Sequence, residues 1–457
     1  MGWVALGYIA LLWAISYWVD RRYKTADLST FYTARRQAHW LWVSYSMIGT
    51  TISGLTFLSL PGSVRQDGWT YLQVCIGYLI GYAAIAYILL PLYYAHTRAS
   101  VYEYFRHRLG PSAEKTATLL FLLSRGIGSS LRLFLALWVI QSFLPSWPFP
   151  LLSAIALGVI LLYTLRSGVA ALIYTDAFQT TLFLATAAYT TYLLSQGPIQ
   201  SCLSIPLIIN THPQSPHFWL KDLLGGALIA FSMTGLDQDQ MQKNLSLPTL
   251  QKGQKNLLLY GSLLLPVNAL FLFLGSGLWA YIACMHIAPP PPDEAFVTVV
   301  QNIGGILPFL FILGLTAAAL SSADGSLTAL TTVTLRNLLP TSYENIRTKN
   351  FVLIGWACLF WVLLWAYTFL PKEGHILGIF LHFSGYTYGP LLGLFLFSRL
   401  VAPGKDARYV PWGTLLCTTL AIVAEKFLGV KWGYGTILWI ALWNAVGLWA
   451  LSRAFRS

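Results

Sequence analysis

Residues Thr316–Thr328 read Thr-Ala-Ala-Ala-Leu-Ser-Ser-Ala-Asp-Gly-Ser-Leu-Thr, in the middle of an apolar run from about 306 to 335. The run is long enough to cross a bilayer. Yet its centre carries hydroxyls, small side chains and the carboxylate of Asp324, groups that cost several kcal/mol in hydrocarbon unless they find partners. Ala318, Ser321 and Ser322 lie three and four apart, so on a helix both hydroxyls fall near the Ala318 carbonyl. Two hydroxyls and a carbonyl form a neutral oxygen cluster, the kind of ligand a hard cation takes, and one weak enough to let a monovalent ion leave. The same spacing also serves tight helix packing, with each serine bonded to its own i−4 carbonyl. A cation reading needs ligands from a second element.

Other polar groups inside apolar segments carry similar pairs of readings. Gly49-Thr50-Thr51-Ile52-Ser53-Gly54 puts two glycines and three hydroxyls mid-span, and Gly225-Gly226 with Ser232-Met233-Thr234-Gly235 makes another interrupted segment. Unwound backbone at membrane depth is tolerated only where it is buried in protein or lines a cavity. Asp176 opens the segment 170–195, where a carboxylate complements the helix dipole or serves as an anionic waystation for a departing cation. Arg125 and Arg132, seven apart, share one helix face; pairing with a buried carboxylate such as Asp324 is favoured over direct binding of an anionic solute. His382 is expected to be a hydrogen-bonded core residue rather than a proton relay.

The elements that hold these groups are apolar throughout. Of 457 residues 56% are hydrophobic and only 10% charged, against about 25% in soluble domains, and the mean hydropathy is +0.62. The chain is therefore expected to be an integral, polytopic membrane protein in the lipid bilayer. Segments at roughly 3–19, 40–62, 70–94, 116–144, 149–165, 170–195, 222–236, 256–284, 304–335, 351–370, 376–398, 410–428 and 433–451 predict about 13 transmembrane helices in an all-α bundle. The first lacks a basic flank before it and a cleavage site after it, so it is read as a retained helix. With the N-terminus outside and the C-terminus cytoplasmic, 21 of the 28 Lys and Arg, Lys243 and Lys349 among them, fall in cytoplasmic loops and five fall outside. The +12 net charge thus reflects topology and implies no nucleic-acid partner. The five cysteines do not form a disulfide framework; Cys202 and Cys284 fall near the same outer face, with free thiols favoured over a bridge. No metal spacing, nucleotide loop or catalytic pairing is present, so no enzyme and no cofactor are expected.

Six motifs in collinear order carry a family resemblance. They are Phe31-Tyr32-Thr33-Ala34-Arg35-Arg36, Gly49–Gly62 with Leu58-Ser59-Leu60-Pro61-Gly62, Ser100–Gly110, Tyr174-Thr175-Asp176-Ala177-Phe178-Gln179, Gly235-Leu236-Asp237-Gln238-Asp239-Gln240-Met241-Gln242 and Thr316–Thr328. From about 28 to 398 the chain resembles the sodium:solute symporter family. The resemblance implies a leucine-transporter-type fold, two inverted repeats of five helices with one helix before and two after. Residues 1–39 would form the first helix and a linker, 40–399 the core (repeats at about 40–195 and 222–399), and 400–457 the last two helices.

It also implies a Na+ site at the carbonyls of Gly49, Ile52 and Ala318 and the hydroxyls of Ser321 and Ser322, with Asp176 on the ion's inward path. Some members bind a second sodium through hydroxyls two or three positions beyond the serine pair, where this chain has Asp324 and Gly325. The solute cavity would involve Thr51, Leu55, Thr56, Met233, Thr234 and Arg132. Sugar-transporting members carry polar, acidic and aromatic groups at those positions, so the pattern leans toward the monocarboxylate, vitamin and iodide branch. The implied function is sodium-coupled symport of a small organic solute or anion by alternating access, in a bacterial inner (plasma) membrane. Proton coupling through Asp176 or Asp324, and a membrane-embedded sensor that binds solute without moving it, are the alternatives. The chain's end at Ser457, soon after the last helix, counts against a fused signalling domain and hence against the sensor.

Overall fold

The computed structural model describes residues 2–23, 27–97, 99–196, 208–212, 215, 217–369, 376–402, 407–428 and 435–454. Among them every regular element is a helix, and each of the thirteen apolar segments overlaps at least one of them. Eight single helices are long and apolar enough to cross a membrane, and a bent pair raises this to nine. The side chain of His382 and the residue Cys202 lie outside the described residues. Cys284 is disulfide-bonded, where free thiols were favoured from the sequence.

The bent pair is Trp40–Thr51 and Gly54–Asp67, which meet at 67°. Ile52 leaves the helical region (φ −78°, ψ 88°), and Ser53 caps the second half by accepting the Thr56 N–H. The corresponding helix of the second half behaves differently from expectation. Gly225-Gly226 sits inside the continuous helix Trp219–Ile229, and the chain breaks later, between the wide turn Ala230–Thr234 and the short helix Gln238–Leu245. Asp237 caps that short helix, its carboxylate accepting the N–H groups of Asp239 at 2.9 Å and Gln240 at 3.3 Å. The glycine pair has a packing role instead. A Cβ on Gly226 would run into the Val74 backbone, and one on Gly77 into the Leu223 backbone, so these two helices meet backbone to backbone.

Around the two breaks pack the helices that carry the remaining polar groups. Val169–Leu194 lies against both Trp40–Thr51 and Leu307–Val333, and Pro111–Phe143 lies against Leu307–Val333 and Ile376–Leu400. Two lysines counted among the loop cations belong to this interior: Lys243 is 1% and Lys349 is 3% exposed. A lysine is almost never buried unpaired. Lys349 donates to the Leu165 carbonyl and lies over the Phe31 ring at 4.7 Å. Removing both from the loop count still leaves the basic residues strongly one-sided.

Gly226→Leu is expected to lower the thermal midpoint of the purified protein, by an amount equivalent to about 1–3 kcal/mol or more, because two backbones must part. Gly158→Leu, where an added Cβ meets nothing within 4 Å, should leave it unchanged. Differential scanning fluorimetry in detergent reads both.

Candidate functional site

The break at Ile52 redirects backbone hydrogen bonds. In an unbroken helix the Ser53 N–H would bond the Gly49 carbonyl. Here it bonds Thr51 O at 3.0 Å, and the freed Gly49 carbonyl accepts the Ser321 hydroxyl at 2.8 Å. At this point the broken helix and Leu307–Val333 are joined by a hydroxyl-to-carbonyl hydrogen bond. Ser321 and Ala318 are fully buried, and the Ser322 hydroxyl, 3% exposed, has no hydrogen-bond partner. Gly49 has to be glycine, because a Cβ there would meet the Thr180 hydroxyl and crowd Ser321 Oγ at 3.2 Å and Asp176 O at 3.1 Å. Gly49 and Ser321, two of the five residues expected to hold an ion, therefore meet across two helices, and the orphaned buried hydroxyl of Ser322 next along the chain fits an oxygen-seeking cation.

Asp176 differs from expectation. It lies two turns into Val169–Leu194, fully buried, and its Oδ2 accepts from Lys243 Nζ at 2.5 Å. The same ammonium donates to the Thr50 hydroxyl. A buried ion pair, not a helix dipole, sets its surroundings. Asp324 accepts the Tyr163 hydroxyl and the Gly325 N–H, each at 2.5 Å. It does not pair with an arginine. Arg125 instead bridges Asp237, at 3.6 Å, and Asp239. Tyr388 donates to Asp237, and Ser326 donates to Asp239 at 3.3 Å. Gly325 makes this possible, since any side chain there would strike the Asp239 carboxylate.

Beside these groups lies a cavity of about 250 Å³. Thr51, Leu55, Thr56, Met233, Thr234 and Arg132, all singled out from the sequence, line it together. Arg132 is half-buried and donates to the Gly128 carbonyl at 3.2 Å and to Ser129 Oγ at 3.3 Å. Sequence reasoning missed Gln240, Asn268 and Tyr388, which also line it. Gln240 donates to Thr51 Oγ1 at 3.3 Å while its own carbonyl is buried without a partner. The signal for Gln240 was present in the polar run Asp237–Gln242, which no loop-length argument could aim inward.

The cavity's far end reaches His217 and Asp67. His217 lies 3.4 Å from both Asp67 and Asp222, which tie the Gly54–Asp67 half-helix to Trp219–Ile229. Hydrogen bonds to Asp222 and Asp67 raise its pKa from 6.5 to about 10.

Two interrupted helices in corresponding halves, with a polar cavity at the breaks, are the pattern from which secondary transporters build a binding site. Residues 31–197 match the model of the sodium:solute symporter family. The chain is 24% identical to the sodium/sialic acid symporter NanT of Aliivibrio fischeri, over 96% of this chain and 87% of that protein. It is 25% identical to the human sodium/iodide cotransporter, over 90% of this chain and 64% of that longer protein. The fold superposes with a TM-score of 0.82, at 17% identity, on a substrate-bound outward-open Na+-coupled sialic acid symporter, covering 97% of this chain and 95% of that one. MhsT, solved with L-phenylalanine, gives 0.54 at 15% identity, covering 91% of this chain and 98% of that one. The chain has the leucine-transporter-type fold, and over residues 31–197 it is similar to the sodium:solute symporter family. The curated relatives it matches are sodium-coupled transporters, not enzymes.

The His217 contacts predict a pH dependence with a definite sign. A raised folded-state pKa means the contribution is fully present below pH 6.5 and is lost as pH rises through about 10. Thermal midpoints measured from pH 6.5 to 10 should fall, and His217→Gln should flatten that part of the profile.

Proposed function

We propose that the chain imports a small carboxylate with sodium by alternating access, using Gly49, Ile52, Ala318, Ser321 and Ser322 for the ion. The observation that carries this reading is the Gly49–Ser321 contact at the helix break, with the unpartnered Ser322 hydroxyl beside it and the cavity next door. An ion there would bridge the broken helix to Leu307–Val333 and so favour one arrangement of the two. It can shift that balance only by its differential affinity for the two arrangements.

Arg132 is the group for the solute's carboxylate. Arg132 lies in the cavity wall, where it donates to the Gly128 carbonyl and to Ser129 Oγ. The names of the relatives support an anion: sialic acid, iodide and monocarboxylates are all anionic. Thr51, Thr56, Thr234 and Gln240 supply neutral hydrogen bonds, and Leu55 and Met233 apolar wall. The core would comprise residues 40–399 with repeats at about 40–195 and 222–399. The one-sided basic loops support a cytoplasmic C-terminus, which puts the Asp67–His217 end of the cavity outside. Proton coupling is the second reading, favoured by the fully buried carboxylates Asp176 and Asp324.

Proteoliposomes with an inward sodium gradient should accumulate labelled small monocarboxylates. Ser321→Ala combined with Ser322→Ala should reduce uptake at limiting sodium about tenfold or more, and Arg132→Gln should raise the carboxylate KM by about tenfold or more, the scale of a lost charged hydrogen bond. Uptake indifferent to the sodium gradient overturns the reading. Uptake abolished by a protonophore in sodium-free buffer replaces it with proton coupling.

A further inference from the structure

The sequence motif Ser100–Gly110 has no part in the site described above, for no residue of it lines the cavity. Its first residues lead instead to the second helix break. In an unbroken helix the Gly235 carbonyl would accept the Asp239 N–H, and the Leu236 carbonyl the Gln240 N–H. Both N–H groups bond the Asp237 carboxylate instead, at 2.9 Å and 3.3 Å, which frees two carbonyls on buried residues. A buried carbonyl needs a donor. Tyr93 Oη donates to Gly235 O at 2.8 Å, and Tyr102 Oη donates to Leu236 O at 2.9 Å. Both tyrosines are buried, and neither lines the cavity.

The two hydroxyls come from different elements. Tyr93 stands on the helix Leu90–His96, and Tyr102 immediately precedes the short helix Glu103–Leu109. Gln238, just after the break, adds a third contact: it donates to Ala99 O at 2.7 Å and accepts the Val101 N–H at 2.9 Å. The segment holding Tyr102 is itself anchored, since Glu103 accepts from Arg336 at 3.0 Å and Arg108 donates to Ser398 O at 2.7 Å. Freed carbonyls at a helix break commonly coordinate an ion. Those of Gly235 and Leu236 are taken by tyrosines, so this break serves the cavity by its shape, presenting Thr234 on one side and Gln240 on the other. The far end of Gln238–Leu245 is pinned separately. Gln242 donates to the Tyr32 carbonyl and to Thr332 Oγ1, both at 2.8 Å, and Asn244 Oδ1 accepts from Asn256 at 2.7 Å. The stretch whose place depends on the tyrosines is therefore Gly235–Gln240.

We propose that Tyr93 and Tyr102 are positioning residues for the solute: by holding the two freed carbonyls they set Thr234 and Gln240 at the cavity wall. The inference rests on the sodium-symport reading above. Gly49 and Ser321 belong to the other break and carry their own hydrogen bond. The two tyrosine hydroxyls therefore set solute affinity and leave ion affinity alone.

Sodium-driven uptake by the full-length chain in proteoliposomes tests this, using whichever labelled acid the wild type takes up fastest among acetate, propanoate, butanoate, pyruvate and lactate. Tyr93→Phe and Tyr102→Phe should each raise its KM at saturating sodium by about fivefold or more. Their kcat, and the half-saturating sodium concentration at saturating solute, should stay within about twofold of wild type. Tyr94→Phe is the control, since the Tyr94 hydroxyl donates to Asn244 O at 2.9 Å and Leu247 O at 3.1 Å, beyond the stretch in question. It also loses hydrogen bonds, yet it should leave KM within about twofold of wild type. An unchanged KM in Tyr93→Phe and Tyr102→Phe overturns the proposal. So does an equal rise in Tyr94→Phe, or a rise in half-saturating sodium that matches the rise in KM. If Tyr102→Phe does not fold, Tyr93→Phe, on its separate helix, decides. A wild type that takes up none of the five acids with sodium overturns the carboxylate-symport reading, and this inference with it, an outcome distinct from an unchanged KM.

Discussion

A helix bundle set in lipid must satisfy a stray carbonyl or an unpaired charge from within the protein, and nearly every feature of the site follows from that. Breaking a helix at Ile52 frees the Gly49 carbonyl, which a soluble protein would leave to solvent; here a serine from another helix must reach it. Burying Asp237 and Asp239 obliges Arg125 to lie between them, and burying Asp176 obliges a lysine to follow it inside. Each half of such a pair alone would cost more than the pair, so these contacts bind specific helices to one another. What they fix is register, which a membrane core of interchangeable leucines does not.

Small residues set how closely the partners approach. Gly49 admits Thr180 and Ser321, and Gly325 admits the Asp239 carboxylate. Gly77 and Gly226 do the same for two helices whose backbones meet there. The serine-rich stretch Thr316–Thr328 is therefore both a packing face and a polar face. The choice between close packing and ion binding posed by its spacing is resolved residue by residue: Ser326 serves Asp239, whereas Ser322 bonds nothing in the protein.

Much of this was legible in the sequence, for a physical reason. Hydroxyls and glycines inside apolar spans are conspicuous because the bilayer makes them expensive, so Gly49–Gly54, Ser321 and Ser322 and the cavity residues Thr51, Thr56 and Arg132 stood out. Charged residues near span ends did not. Lys243 was assigned to a loop because helix ends and loops have the same composition, and only the later position of the second break, after Thr234, turns Gln238–Leu245 inward. The same error gave Arg125 the wrong carboxylate. Periodicity shows which face of one helix a side chain occupies, but not which helix it meets. The glycine pair at 225–226 misled in the opposite direction, since glycine marks a break and a close approach equally well.

The division of labour among the oxygens bears on how an ion could be held and still released. A site of charged ligands alone would hold sodium too tightly to cycle, and one of neutral oxygens far from any charge would hold it too weakly. The proposed cluster is neutral in its own ligands, and its member Gly49 is followed by Thr50, which shares the Lys243 ammonium with Asp176. Its pull on a cation would therefore depend on Lys243 staying in place. Because Lys243 rides on Gln238–Leu245 and Asp176 on Val169–Leu194, any rearrangement that moves one against the other alters the field at Ser321 and Ser322. Ion affinity and helix position are then linked through the same ion pair, which is the differential affinity that coupling requires.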